Sequence, residues 1–106
     1  SNTTRFLVIG NGEGLPTGND KTSLLFATPH VPGALCRALE TFAHRAINMM
    51  KIESYPVKDR LWEYLFFVDV AGHSRDEDLL QCLDDLKNKT TFIKILGSYP
   101  KSETIQ

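Results

Sequence analysis

Three histidines, two cysteines and a few close carboxylates are the residues from which this 106-residue chain could assemble a reactive or metal-binding centre. His30, His44 and His73 stand far apart, and none has a second ligand at the short spacing that a zinc site uses. Each is expected to be satisfied in place or exposed, and no metal is expected. Cys36 and Cys82 are isolated, each among the apolar positions of a helical pattern. Buried free thiols are therefore expected rather than a disulfide framework. The carboxylate pairs Asp76–Asp78 and Asp84–Asp85 fall near helix ends or on a polar helical face, where solvation and the helix dipole account for them. Gly10, Gly12 and Gly14 miss the dinucleotide fingerprint. In the stretch Gly14–Thr22 the lysine does not follow the second glycine, as a phosphate loop requires. No serine or cysteine lies in a nucleophile motif, so neither a cofactor nor catalysis by this chain alone is expected.

Two segments carry chemistry of another kind. Pro32-Gly33-Ala34-Leu35 lies where an apolar run gives way to helical spacing. A glycine at a helix start leaves backbone amides open to close approach, and a helix N-terminus favours a carboxylate. The plainer reading, a glycine tolerated in a first turn, stays open on local grounds. The second segment, Asn48 to Pro56, alternates Met50 and Ile52 with Lys51 and Glu53 before a proline.

The elements that must position these segments follow from periodicity. Thr22–Thr28 is a nearly continuous apolar run, as in a buried strand. Pro32 fits a helix's first turn, and Leu35, Ala38, Leu39, Phe42, Ala43 and Ala46 continue at helical spacing. Asn48–Tyr55 reads as a strand limited by Pro56, and Pro56–Arg60 as a polar turn. Trp62, Tyr64, Phe66, Val68 and Val70 form the longest period-two array. Ser74 and Glu77 have the spacing of a capping box ahead of the stripe Leu79, Cys82, Leu83 and Leu86, with Asn88 as a left-handed stop. Thr91–Leu96 is the last strand, ended by Gly97 and Pro100. The order strand–helix–strand–strand–helix–strand predicts an α+β, ferredoxin-like βαββαβ domain. Its four strands run antiparallel, the first and third central, with two helices on one face.

Ahead of this unit, Thr4–Ile9 reads as a lone strand, and Gly10–Asp20 as a linker rich in glycine, asparagine and proline. The expected division is 1–9 as the remnant of a preceding domain, 10–20 linker, 21–100 domain and 101–106 tail. A net charge of −1, from 12 basic and 13 acidic residues, gives no electrostatic reason to expect nucleic acid or an anionic membrane surface. An RNA-binding reading of the aromatic strand meets Glu63 and Asp69 where basic and glycine residues are needed. No apolar run reaches the ~18 residues that span a bilayer, and a cytoplasmic protein is expected.

Taken together, the two segments resemble the paired effector motifs of the ACT domains in prephenate dehydratases and aromatic amino acid hydroxylases. Gly33-Ala34-Leu35-Cys36 is similar to that family's Gly-Ala-Leu-Val motif, and Glu53-Ser54-Tyr55-Pro56 to its Glu-Ser-Arg-Pro motif. The likeness runs through Pro32–Pro56 and Trp62–His73. Thr4-Arg5-Phe6 resembles the Thr-Arg-Phe motif that closes the dehydratase catalytic domain, which favours dehydratases over hydroxylases.

The resemblance implies a regulatory domain of an enzyme that converts prephenate to phenylpyruvate, carbon dioxide and water. It implies L-phenylalanine as feedback effector, bound where two copies meet in a homodimer or larger assembly. Effector contacts are implied at Pro32, Gly33, Ala34, Leu35, Asn48, Met49, Lys51, Glu53 and Ser54. Thr4 is implied as a catalytic residue of the incomplete domain. A module that only dimerises is the alternative. Two residues depart from the motifs. Cys36 replaces valine at little change in volume, while Tyr55 replaces arginine and removes a fixed charge with its bidentate hydrogen bonding.

Overall fold

The computed structural model describes residues 14–57 and 63–101, with the backbone alone at Glu63. Thr4, the rest of the preceding strand and Trp62 lie outside the described residues, as do 58–60 of the polar turn. Six elements follow in order: β1 (Asp20–Pro29), α1 (Ala34–His44), β2 (Met49–Pro56), β3 (Glu63–Ala71), α2 (Glu77–Lys87) and β4 (Phe92–Pro100). The strands form one antiparallel sheet in the order β2-β3-β1-β4, so the first and third strands are central, as the segment order predicts.

The register explains why β1 and β3 read as they do. Leu24 lies opposite Val68 and Phe26 opposite Phe66, and all four are buried. Both helices pack on this face, bringing Ala38 and Phe42 from α1 and Leu79, Cys82, Leu83 and Leu86 from α2. The Phe26 and Phe66 rings stand 5.4 Å apart, in the range of favourable tilted pairs. Residues in the other phase face away from the helices. There the buried Asp69 accepts a hydrogen bond from the Ser23 hydroxyl and lies 4.0 Å from Lys21.

The ends of elements depart from the sequence reading in several places, and Pro32 lies ahead of the N-cap Gly33 rather than in the first turn of α1. Asp76, not Ser74, occupies the N-cap of α2. Its carboxylate accepts the His73 amide at 2.8 Å, while the Ser74 amide is drawn to Ser98 Oγ at 2.9 Å. Gly97 does not end β4. An irregularity between Ser23 and Leu24 absorbs one residue, and pairing resumes with Gly97 opposite Ser23 and continues to Pro100. The Thr22 and Ser98 hydroxyls, 2.7 Å apart, tie the extension together. Asn88 is right-handed, with φ −78°.

The left-handed stop sits instead at the end of α1, on Ala46, with φ 55°. The Ala46 amide bonds the Ala43 carbonyl at 3.0 Å, and the Ile47 amide bonds that of Phe42 at 2.9 Å. These two bonds define a Schellman motif, whose usual glycine is here an alanine. Ile47, the residue that follows, packs against the core. Ala46 is exposed and bears the steric cost of a left-handed β-carbon. Ala46→Gly is therefore expected to stabilise the domain by about 0.5–1 kcal/mol, read as a raised urea midpoint with unchanged slope.

Candidate functional site

The chain leaves β1 at Pro29 and enters α1 through Gly33, the N-cap residue, held at φ 83° and ψ −7°. An L side chain is strained at this angle, and an added Cβ would lie 2.9 Å from Arg37 Nη1. The Ala34 amide bonds the Val31 carbonyl at 3.2 Å, and the Arg37 amide bonds that of Gly33 at 3.0 Å. Between them, the amides of Leu35 and Cys36 have no partner among the described residues. No side chain caps α1 and its first turn carries no acidic residue, so the positive end of the helix is left uncompensated.

Beside this tip opens a cleft of about 370 Å³, within the range of small-molecule sites. Gly33, Ala34 and Leu35 form one side, and Ser54, Tyr64 and Phe66 the other. The Tyr64 ring is tilted against His30 at 4.5 Å and edge-on to Phe66 at 6.3 Å. Cys36 also lines the cleft. It is exposed rather than buried, because the inner face of α1 is set by Ala34, Ala38, Thr41 and Phe42.

The other sequence-predicted residues lie elsewhere in the single chain. Asn48 borders a second cleft of about 430 Å³, together with Arg45, Gly72 and Asp76, beyond the C-terminal end of α1. An α1 of 11 residues separates the two ends by roughly 16 Å. Met49 lies opposite Val70 and packs on the core, and Pro32 is exposed. Lys51 pairs with Asp69 and Glu53 with Phe67, so both face away from the helices and from the cleft. They bond each other at 3.5 Å, and the Tyr55 hydroxyl donates to Glu53 Oε1 at 2.8 Å. Gly33, Ala34, Leu35 and Ser54 are thus brought together. Asn48 and Met49 lie at the far end, and Lys51 and Glu53 on the opposite face.

The cleft also contains residues that sequence reasoning assigned to strand interiors. Thr28 and Tyr64, paired across β1 and β3, are two of them. A threonine in the helix-facing phase of an otherwise apolar strand was the available signal.

His73 is buried and satisfied. Its Nδ1 accepts the Arg75 amide at 3.1 Å, which leaves Nε2 to donate to the Gly14 carbonyl at 2.7 Å. His30 and His44 are exposed, and among the described residues no cluster of three or more His, Cys, Asp or Glu could hold a metal. Next to Gly14, the hydroxyl and amide of Thr17 bond Asp20 at 2.6 and 2.8 Å and hold its carboxyl below the ordinary 3.8. Burial pushes the Cys82 thiol up to about 11.

Fold and cleft together define the class: a ferredoxin-like α+β domain whose opening lies at the junction of its first strand and first helix. The chain belongs to the ACT domain family, whose family model matches residues 22–88. Over 101 residues it is 54% identical to the bifunctional chorismate mutase/prephenate dehydratase of Aquifex aeolicus, covering 95% of this chain and 28% of that protein. The chain thus spans under a third of that curated relative's length. Among solved structures, the prephenate dehydratase from Arthrobacter aurescens in complex with L-Phe matches with a TM-score of 0.78 and 35% identity, over 86% of this chain and 30% of that one. GqqA, described as a novel type of quorum quenching acylase, matches with a TM-score of 0.81 and 35% identity, over 87% of this chain and 47% of that one.

Two outcomes are expected. At pH about 8 a thiol reagent should label Cys36 in the native protein and spare Cys82 until unfolding, as intact-mass measurement would reveal. A depressed carboxyl stabilises the fold above its unfolded value of 3.8, and this is lost as pH falls through the lowered folded value. Asp20→Asn should therefore lower the melting temperature at neutral pH and converge with the parent in strong acid.

Proposed function

We propose that this domain senses L-phenylalanine for a prephenate dehydratase, the parent enzyme that loses water and carbon dioxide from prephenate to form phenylpyruvate in the cytoplasm. The observation that carries the reading is the glycine-opened tip of α1, whose Leu35 and Cys36 amides have no partner among the described residues, beside an apolar cleft. An amino acid carboxylate suits that tip, and an aromatic ring suits the wall formed by Leu35, Tyr64 and Phe66. Burying the ring contributes about 1.5–3 kcal/mol, so the amides and Ser54 supply much of the remaining affinity. Likeness to the Arthrobacter enzyme in complex with L-Phe supports the choice of ligand.

Asn48 cannot reach the same ligand within one chain, since α1 keeps it roughly 16 Å away. Two copies related by a two-fold axis, with their α1 and β2 edges antiparallel, would bring the Asn48 end of one to the Gly33 end of the other. The edge strand β2 favours such pairing: Met50 and Ile52 are 44% and 41% exposed, and Leu35 and Leu39 are half-buried. Pro32 and Met49 then flank the ligand from opposite copies. Lys51 and Glu53 brace the edge from the outer face, where Tyr55 contributes a neutral hydrogen bond in place of the motif arginine. Thr4 belongs to the catalytic part of the parent enzyme. The same apolar edge favours a second reading, a module that only dimerises.

L-phenylalanine, but not glycine, is expected to raise the melting temperature, by up to about 2.7 kcal/mol of added stability at a hundredfold excess over Kd. It should also shift the chain toward dimer in light scattering. Asn48→Ala should weaken this response about tenfold while leaving the apo melting temperature unchanged, because Asn48 is exposed. A melting temperature and mass both indifferent to saturating L-phenylalanine would leave the dimerisation module as the surviving reading.

A further inference from the structure

The helix-facing phase of β1 runs Thr22, Leu24, Phe26, Thr28, and its two threonines differ in a telling way. Thr22 is fully buried and bonded twice, to the Gly72 carbonyl at 2.8 Å and to Ser98 Oγ at 2.7 Å. Thr28 is 2% exposed, and its hydroxyl has no hydrogen-bond partner among the described residues. No described buried side-chain oxygen or nitrogen is both sealed from solvent and unpaired. The Thr28 hydroxyl therefore keeps access to the outside, and the space that Thr28 lines is the cleft beside Gly33. Packing alone does not require this hydroxyl, since valine has the same shape, and its free donor and acceptor are open to whatever occupies the cleft.

Its surroundings define what it can read. Tyr64 lies directly across from Thr28, and Phe66 and Leu35 supply the apolar wall. The amides that suit a carboxylate are at the Gly33–Cys36 end of the same cleft. An aromatic amino acid with its head at the helix tip would carry its ring inward, toward Thr28.

We infer that Thr28 is a specificity-determining residue that reads a ring hydroxyl, so that the cleft accepts L-tyrosine alongside L-phenylalanine. A threonine hydroxyl both donates and accepts, and it pairs with a phenol in either sense. The inference rests on the effector reading above and adds to it the breadth of the ligand class.

Calorimetric titration of the whole chain with L-phenylalanine and with L-tyrosine tests it, using Thr28→Val and Thr28→Ser. Valine keeps the shape and removes the hydroxyl; serine keeps the hydroxyl if valine disturbs folding. L-tyrosine should bind the parent chain within about tenfold of L-phenylalanine. Thr28→Val should weaken L-tyrosine roughly two- to tenfold and leave L-phenylalanine within about twofold. Thr28→Ser should retain both. The inference is overturned if L-phenylalanine binds while L-tyrosine does not, if Thr28→Val weakens both ligands alike, or if Thr28→Ser loses L-tyrosine alone. Those results leave the phenylalanine-sensing role standing. Binding of neither amino acid to the parent chain removes both.

Discussion

The pairing of β1 with β3 at the centre of the sheet is the constraint on which everything else depends. Leu24 against Val68 and Phe26 against Phe66 make a two-strand apolar floor that neither α1 nor α2 could replace. Truncating one such buried phenylalanine typically costs about 3–5 kcal/mol, a large part of the stability of a domain this size. The same register sets Thr28 opposite Tyr64 at the end of the floor, beside the first turn of α1. The cleft is therefore the place where the core runs out, not a separate construction. Its walls are core-phase strand residues on one side and the first turn of α1 on the other.

Much of this architecture was legible in the residues because burial writes it directly. The alternation in Phe66–Val70 and the stripe Leu79, Cys82, Leu83, Leu86 each reflect one buried face, and their order admits few topologies. Element ends were harder, because several polar groups competed for the same bonds. Ser74 had the spacing of a cap, yet its amide is drawn to Ser98, a partner 24 residues away that no local pattern reveals. Gly97 resembled a strand end because the irregularity that carries β4 past it belongs to the pairing with β1. Ala46 does what glycine usually does, since the contact of Ile47 with the core holds the turn.

The candidate site was legible in part for the same reason. Gly33 announced a special backbone, and its left-handed angle justifies the residue type. Asn48, Lys51, Glu53 and Ser54 are close in sequence, but an extended strand spreads them along its length and alternates them between faces. Only Ser54 reaches the cleft. Pattern could group these residues; only the register and the length of α1 could say which ones are neighbours within one chain.

The bond from His73 to the Gly14 carbonyl has a mechanical consequence. The loop from Gly72 to Asp76 borders the cleft at Asn48, and through His73 it also grips the polypeptide six residues ahead of β1. The path by which the chain approaches the sheet is thus moored to a cleft wall on the far side of the domain from Gly33. Displacing either one alone breaks that hydrogen bond.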